Sequence, residues 1–125
     1  MNLHEHQSKE ILKKSGVPIP TGIVAYTPEE AVKAARLIMA TTGADSVAIK
    51  AQIHAGGRGK GGGVKIAHSI EEFEMHSKNI IGMTLVTPQT GPSGKLVRKV
   101  LVQQGVYYPG SSEIKEFYIS ILLTR

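Results

Sequence analysis

Lys50 and the stretch HAGGRGKGGG, His54 to Gly63, bring three cations and six glycines into fourteen residues. Glycines let backbone N–H groups approach an anion without interference from a Cβ, and a nearby lysine adds a full charge. The combination suits a phosphate chain. Each charge-assisted hydrogen bond to phosphate contributes on the order of 1.5–3 kcal/mol, while ordering glycine costs about 0.5–1 kcal/mol more per residue than ordering alanine. Such a loop is expected to be mobile when empty and ordered by its ligand. A flexible connector or an Arg-Gly segment for nucleic acid has the same composition, so the flanking elements must decide.

Gly57, Gly59 and Gly62 fit the spacing GxGxxG. In a dinucleotide fold that loop ends a strand and opens a helix, whereas VKIA follows here and reads as a strand. A P-loop is excluded as well, because His54 stands where a glycine is needed and Gly61 where a Ser or Thr would meet magnesium. Strand, glycine loop and strand form a hairpin of the kind that folds over a triphosphate in protein kinases. Residues 47–50 even spell VAIK, but they precede the loop instead of following it, and no catalytic-loop or DFG signature is present. Lys50 projects from the non-core side of its strand, with Val47, Ile49, Ala51 and Ile53 on the core side. Arg58 and Lys60 add charge at the tip of the hairpin.

Around this hairpin the sequence predicts a mixed α and β domain. Asn2 with Glu5 reads as a capping box opening a helix over about 3–15, ended by Gly16 and Pro18. A short edge strand around 23–25 precedes a second helix from Pro28 to about Thr41, signalled by Thr27, Pro28 and Glu30 and lined by Ala31, Ala34, Ala35 and Ile38. Ser69 with Glu72 opens a third helix over about 70–80. TLVTPQ and KLVRKVLVQQ are expected to pair across the turn-rich TGPSG, and KEFYISILLTR reads as a buried strand left without a partner. On a helix His4 and His6 point apart, and the five histidines lack metal-ligand spacing. His54 alone is placed to lie beside phosphate.

The chain of 125 residues suffices for one core, and its formal charge of +5 suits an anionic partner. It holds no cysteine, which excludes disulfides and thiolate chemistry, and its N-terminal MNLHEHQSKE is too polar for a secretory signal. A cytoplasmic or organelle-matrix setting is expected, with no membrane partner. Nucleic-acid recognition would want exposed aromatics, for which only Tyr107 and Tyr108 beside Pro109 are candidates.

MNLHEHQSKEILKKSGVPIP, VAIKAQIHAGGRGKGGGVKIA, IGMTLVTPQTG and KEFYIS together closely resemble the N-terminal part of the succinyl-CoA synthetase (succinate–CoA ligase) β-subunit family. The resemblance covers the whole chain and implies an α+β ATP-grasp fold. Residues 21–102 would be the smaller subdomain, with 1–20 and 103–125 belonging to the larger one, whose remainder would lie beyond Arg125. It implies ATP or GTP as nucleotide, with Lys50 on phosphate and Gly57, Arg58, Gly59 and Glu116 contacting the nucleotide. Gln103 stands where many members carry a glutamate near adenine and ribose, and the backbone of Gly105 and Val106 would meet the base edge. Pro20 matches members that prefer ATP. The implied enzyme forms succinyl-CoA from succinate, CoA and nucleoside triphosphate through a phosphohistidine on a partner α subunit. No catalytic residue and no magnesium ligand would lie within 1–125, and this stretch alone would be inactive. Another ATP-grasp ligase, of the malate–CoA ligase or ATP-citrate lyase type, shares the loop, and a basic nucleic-acid-binding module is the remaining alternative.

Overall fold

The computed structural model describes residues 2–107 and 110–124. Tyr108, Pro109 and Arg125, which figure in the readings above, lie outside the described residues. In order, the elements are α1 (Glu5–Lys14), β1 (Gly22–Ala25), α2 (Pro28–Thr42), β2 (Val47–Ala51), β3 (Val64–Ala67), α3 (Ile70–Ile80), β4 (Thr84–Leu85), β5 (Lys95–Leu96) and β6 (Val100–Gln104).

Both core helices form where their caps predict. Thr27 Oγ1 accepts the Glu30 N–H at 3.2 Å, while the Glu30 carboxylate accepts the Tyr26 N–H at 2.8 Å. Pro28 fills the first helical position, and Gly43 closes α2 in the left-handed region at φ 68°. Ser69 and Glu72 repeat the arrangement at α3, the Glu72 N–H on Ser69 Oγ and the His68 N–H on Glu72. Ala31, Ala34, Ala35 and Ile38 of α2 and Phe73 and Ile80 of α3 form the buried stripes.

Four strands make an antiparallel sheet in the order β1-β6-β2-β3, with β1 at one edge as expected. Strand alternation gives it two faces. Val47, Ile49, Val100, Val102 and Ala25 pack beneath α2 and α3 as the core. The opposite face carries Lys50, Ala48, Gln103 and Ile66, cross-strand neighbours in register. The first helix lies over this face, held by Glu5 on Lys50, the His6 N–H on Gln52 Oε1 at 3.0 Å and Lys9 on Gln103.

Four expectations are corrected. The first helix starts at Glu5, because His4 is the cap and its N–H donates to Gln7 Oε1 at 2.9 Å; the Glu5 side chain, expected to reach back to Asn2, is drawn to three cations instead. His4 therefore has non-helical backbone, at φ −73° and ψ 159°, and its ring stacks on that of His6 at 5.6 Å instead of pointing away. KLVRKVLVQQ pairs with β4 only through β5, Thr84 facing Leu96 and Leu85 facing Lys95. It then breaks so that β6 can insert between β1 and β2. Finally, KEFYISILLTR forms no strand among the described residues and its apolar side chains are exposed, since it pairs with neither sheet edge.

Candidate functional site

The β2–β3 hairpin carries the glycine turn, closed by its own hydrogen bonds. Gly63 N–H donates to Arg58 O at 2.8 Å, Gly62 N–H to Gly59 O at 3.1 Å, and Ala51 N–H to Gly63 O at 2.7 Å. Gly56 N–H is bound by Gln89 Oε1 at 2.6 Å. These bonds fold the turn back on its own backbone and tie it to Gln89.

Its glycines serve different ends. Gly57 has φ 72°, which a side chain would resist. A Cβ on Gly63 would meet Leu85 Cδ2 at 2.4 Å, so this glycine is needed for close packing on β4. A Cβ on Gly59 would meet nothing within 4 Å. The space over Gly59 belongs to a cavity of about 590 Å³ lined also by Gly57, Arg58, Lys60, His54 and Glu5.

A second cavity, of about 410 Å³, lies on the same sheet face, lined by Lys50, Gln103, Gly105 and Val106 together with Ile66 and Ala48. Val64 lines both cavities. The two therefore adjoin, Ile66, Ala48 and Val106 lining one and the glycine turn the other, and are called the track below. Lys50 is the cross-strand partner of Val64, and its ammonium lies 2.9 Å from the carboxylate of Glu5, which lines the larger cavity.

Arg58 does not extend from the hairpin tip. It folds inward, Nη1 donating to Ala51 O at 2.6 Å and Nη2 to Glu5 Oε2 at 2.6 Å. Glu5 Oε1 also receives Lys50 at 2.9 Å and Lys9 at 2.8 Å. Burial pushes the Glu5 carboxyl up, but hydrogen bonds from Lys9, Lys50 and Arg58 outweigh it and hold the group at about 2. Lys9 moves the other way from an ordinary ion-paired lysine: burial lowers it, and its share of Glu5 does not compensate. One carboxylate divided among three cations leaves a formal surplus of two positive charges around Glu5.

The sequence-derived residues fall into three groups. Lys50, Gln103 and Val106 line the smaller cavity, and Gln103 Oε1 accepts from Lys9. Gly57, Arg58 and Gly59 line the larger one, as does His54, whose ring stacks on His4 at 3.9 Å. Glu116 is exposed and lines neither; its carboxylate accepts the hydroxyl of Tyr107, which lines the smaller cavity. Pro20 lies on the β1 side of α1, in a separate cavity with Lys9 and Thr21. Glu5 and Lys9 were missed as site residues. In the sequence they are only a Glu–Lys pair four residues apart, and what makes them part of the site is the contact of Glu5 with Lys50 and Arg58, 45 and 53 positions away. Among the described residues, no three His, Cys, Asp or Glu side chains converge as a metal site would need.

A family model for the ATP-grasp domain matches residues 2–125. The chain belongs to the ATP-grasp family. Over its full length it is 58% identical to the ADP-forming succinate–CoA ligase β subunits of Flavobacterium psychrophilum and Flavobacterium johnsoniae, and 52% identical to that of Ralstonia pickettii. It spans about a third of those ATP-grasp relatives, 31%, 32% and 30% of their lengths. Among solved structures it is similar to a dinucleotide-forming acetyl-coenzyme A synthetase of Candidatus Korarchaeum cryptofilum, in complex with coenzyme A, acetyl-coenzyme A and a phosphorylated phosphohistidine segment. That match has a TM-score of 0.60 and 28% identity, covering 86% of this chain and 42% of the other. The α+β ATP-grasp architecture expected from the sequence is thus the one observed.

Proposed function

We propose that residues 1–125 are the nucleotide-binding jaw of a succinate–CoA ligase β subunit. The observation that carries this reading is the pair of cavities that adjoin at Val64, with Lys50 lining one, Arg58 lining the other and Glu5 bonded to both cations. The base rests on Ile66 and Val106 in the smaller cavity, with Gln103 and the Gly105 backbone at its edge. The phosphates pass Lys50 and lie over Gly59. A nucleoside di- or triphosphate matches the surplus positive charge, and ATP is the nucleotide that the naming of the relatives favours.

In the whole enzyme the jaw serves the interconversion of succinate, CoA and ATP with succinyl-CoA, ADP and phosphate, working with an α subunit that carries a phosphohistidine. Residues 1–125 contribute binding and orientation of the phosphates, not a reacting group. Magnesium, which a nucleoside triphosphate brings, does not fit the residues here: Glu5, the one acid lining either cavity among the described residues, is engaged by three cations. No step is assigned to it.

The test is calorimetric titration of ADP into the complete two-subunit enzyme carrying Lys50→Ala or Arg58→Ala. Each variant loses one charge-assisted contact worth about 1.5–3 kcal/mol, a weakening of roughly 10- to 150-fold. Unchanged affinity in both variants would remove these residues, and the track, from the nucleotide site.

A further inference from the structure

Glu5 lines the larger cavity and bonds both Lys50 and Arg58 without belonging to the glycine hairpin or to the strand that carries Lys50. Its two oxygens divide their partners: Oε1 takes Lys9 and Lys50, and Oε2 takes Arg58. The carboxylate is mostly buried, its side chain 19% exposed. It is anchored in the first turn of α1, which is itself tied to the sheet by the His6 N–H on Gln52 and Lys9 on Gln103.

Lysine and arginine side chains give up the most rotamer freedom when fixed. Lys50 and Arg58 depart from two different backbone segments. Each needs something other than its own backbone to point it at a common ligand. After pairing with Glu5, the Lys50 ammonium keeps two N–H donors, and the guanidinium, bound also to Ala51 O, keeps three. The carboxylate therefore orients both groups without exhausting them.

We propose that Glu5 is a positioning residue, a counter-ion clamp that holds Lys50 and Arg58 side by side in the arrangement that receives the nucleotide's phosphates. The inference rests on the nucleotide reading above and deepens it. It carries a counter-intuitive consequence. Removing a negative charge beside an anion site should by plain Coulomb attraction tighten the anion, whereas removing a clamp loosens it.

The experiment uses the complete two-subunit enzyme, with ADP and adenosine titrated by calorimetry into wild type, Glu5→Gln, Glu5→Asp, Lys50→Ala, Arg58→Ala, the double Lys50→Ala/Arg58→Ala and the corresponding triple variant. Glu5→Gln is expected to weaken ADP about tenfold and leave adenosine unchanged, with Glu5→Asp recovering part of the loss. In the double-variant background Glu5→Gln should cost nothing further, because the groups it acts through are gone. ADP binding that stays the same or tightens in Glu5→Gln overturns the clamp. So does an equal loss for adenosine, which would mean that α1 only props up the fold. If Lys50→Ala and Arg58→Ala themselves leave ADP unchanged, the nucleotide reading fails; if they weaken it and Glu5→Gln does not, the clamp alone fails.

Discussion

Glu5 shows how opposed effects are settled at a single residue. Burial alone would raise its carboxyl above the ordinary 4.5, yet three cationic donors hold it at about 2. The exposed pair Lys78–Glu74 is shorter, at 2.5 Å, and contributes less, because water screens it. A group whose folded value is depressed contributes stability that is present above its unfolded value and is lost as pH falls toward the folded one. The window here is therefore about pH 4.5 down to about 2. A shift of this size sets a ceiling on the order of 3 kcal/mol. Urea unfolding of the chain at steps across that window should show stability falling steeply in wild type and much less in Glu5→Gln. Parallel curves for the two would show that Glu5 titrates in the fold as it does in the unfolded chain. None of this was legible in the sequence, where Glu5 reads as half of a capping box; the partners that redirect it are Lys50 and Arg58, 45 and 53 positions away.

At the scale of elements, local chemistry was legible and long-range competition was not. Thr27, Pro28 and Glu30 and the pair Ser69 and Glu72 fix their helix starts because every partner lies within a turn. The hairpin order was readable from VAIKAQI and VKIA on either side of the glycines. The break between β5 and β6 was not, since it is imposed by two sets of neighbours, β4 for one and β1 with β2 for the other. Within the hairpin, composition could not say which glycines serve the fold and which the ligand. Gly63→Ala would drive a methyl against buried Leu85 and Ala51, an overpacking that costs about 1–3 kcal/mol. Gly59→Ala meets open space and should leave stability within about 0.5 kcal/mol of wild type, while narrowing the cavity where phosphate is proposed to lie. Thermal unfolding of both variants, with ADP titration of Gly59→Ala in the complete enzyme, checks the division. A Gly59→Ala protein with unimpaired ADP affinity would put the phosphates elsewhere.

On the scale of the whole molecule, apolar density in KEFYISILLTR predicted burial, but burial requires a partner surface, which is a property of the assembled molecule and not of the segment. The sheet offers two edges, β1 and β3, and the described part of the segment pairs with neither. Phe117, Tyr118, Ile119, Ile121, Leu122 and Leu123 are left 81% to 99% exposed. A run of this kind exceeds what soluble monomers carry without association, and its β-branched and aromatic residues suit it to strand addition. The 125-residue chain should therefore self-associate as its concentration rises, and Ile119→Lys with Ile121→Lys should return it to the monomer, because a charge at each site makes strand stacking costly. Light scattering after size-exclusion chromatography reads this directly. We propose that in a full-length β subunit further chain covers the same segment, so that the complete two-subunit enzyme should keep one assembly state across the same dilution series. A wild-type 125-residue chain that stays monomeric throughout would mean that the segment folds back on the domain, and it would remove the reason for seeking its partner elsewhere in the subunit.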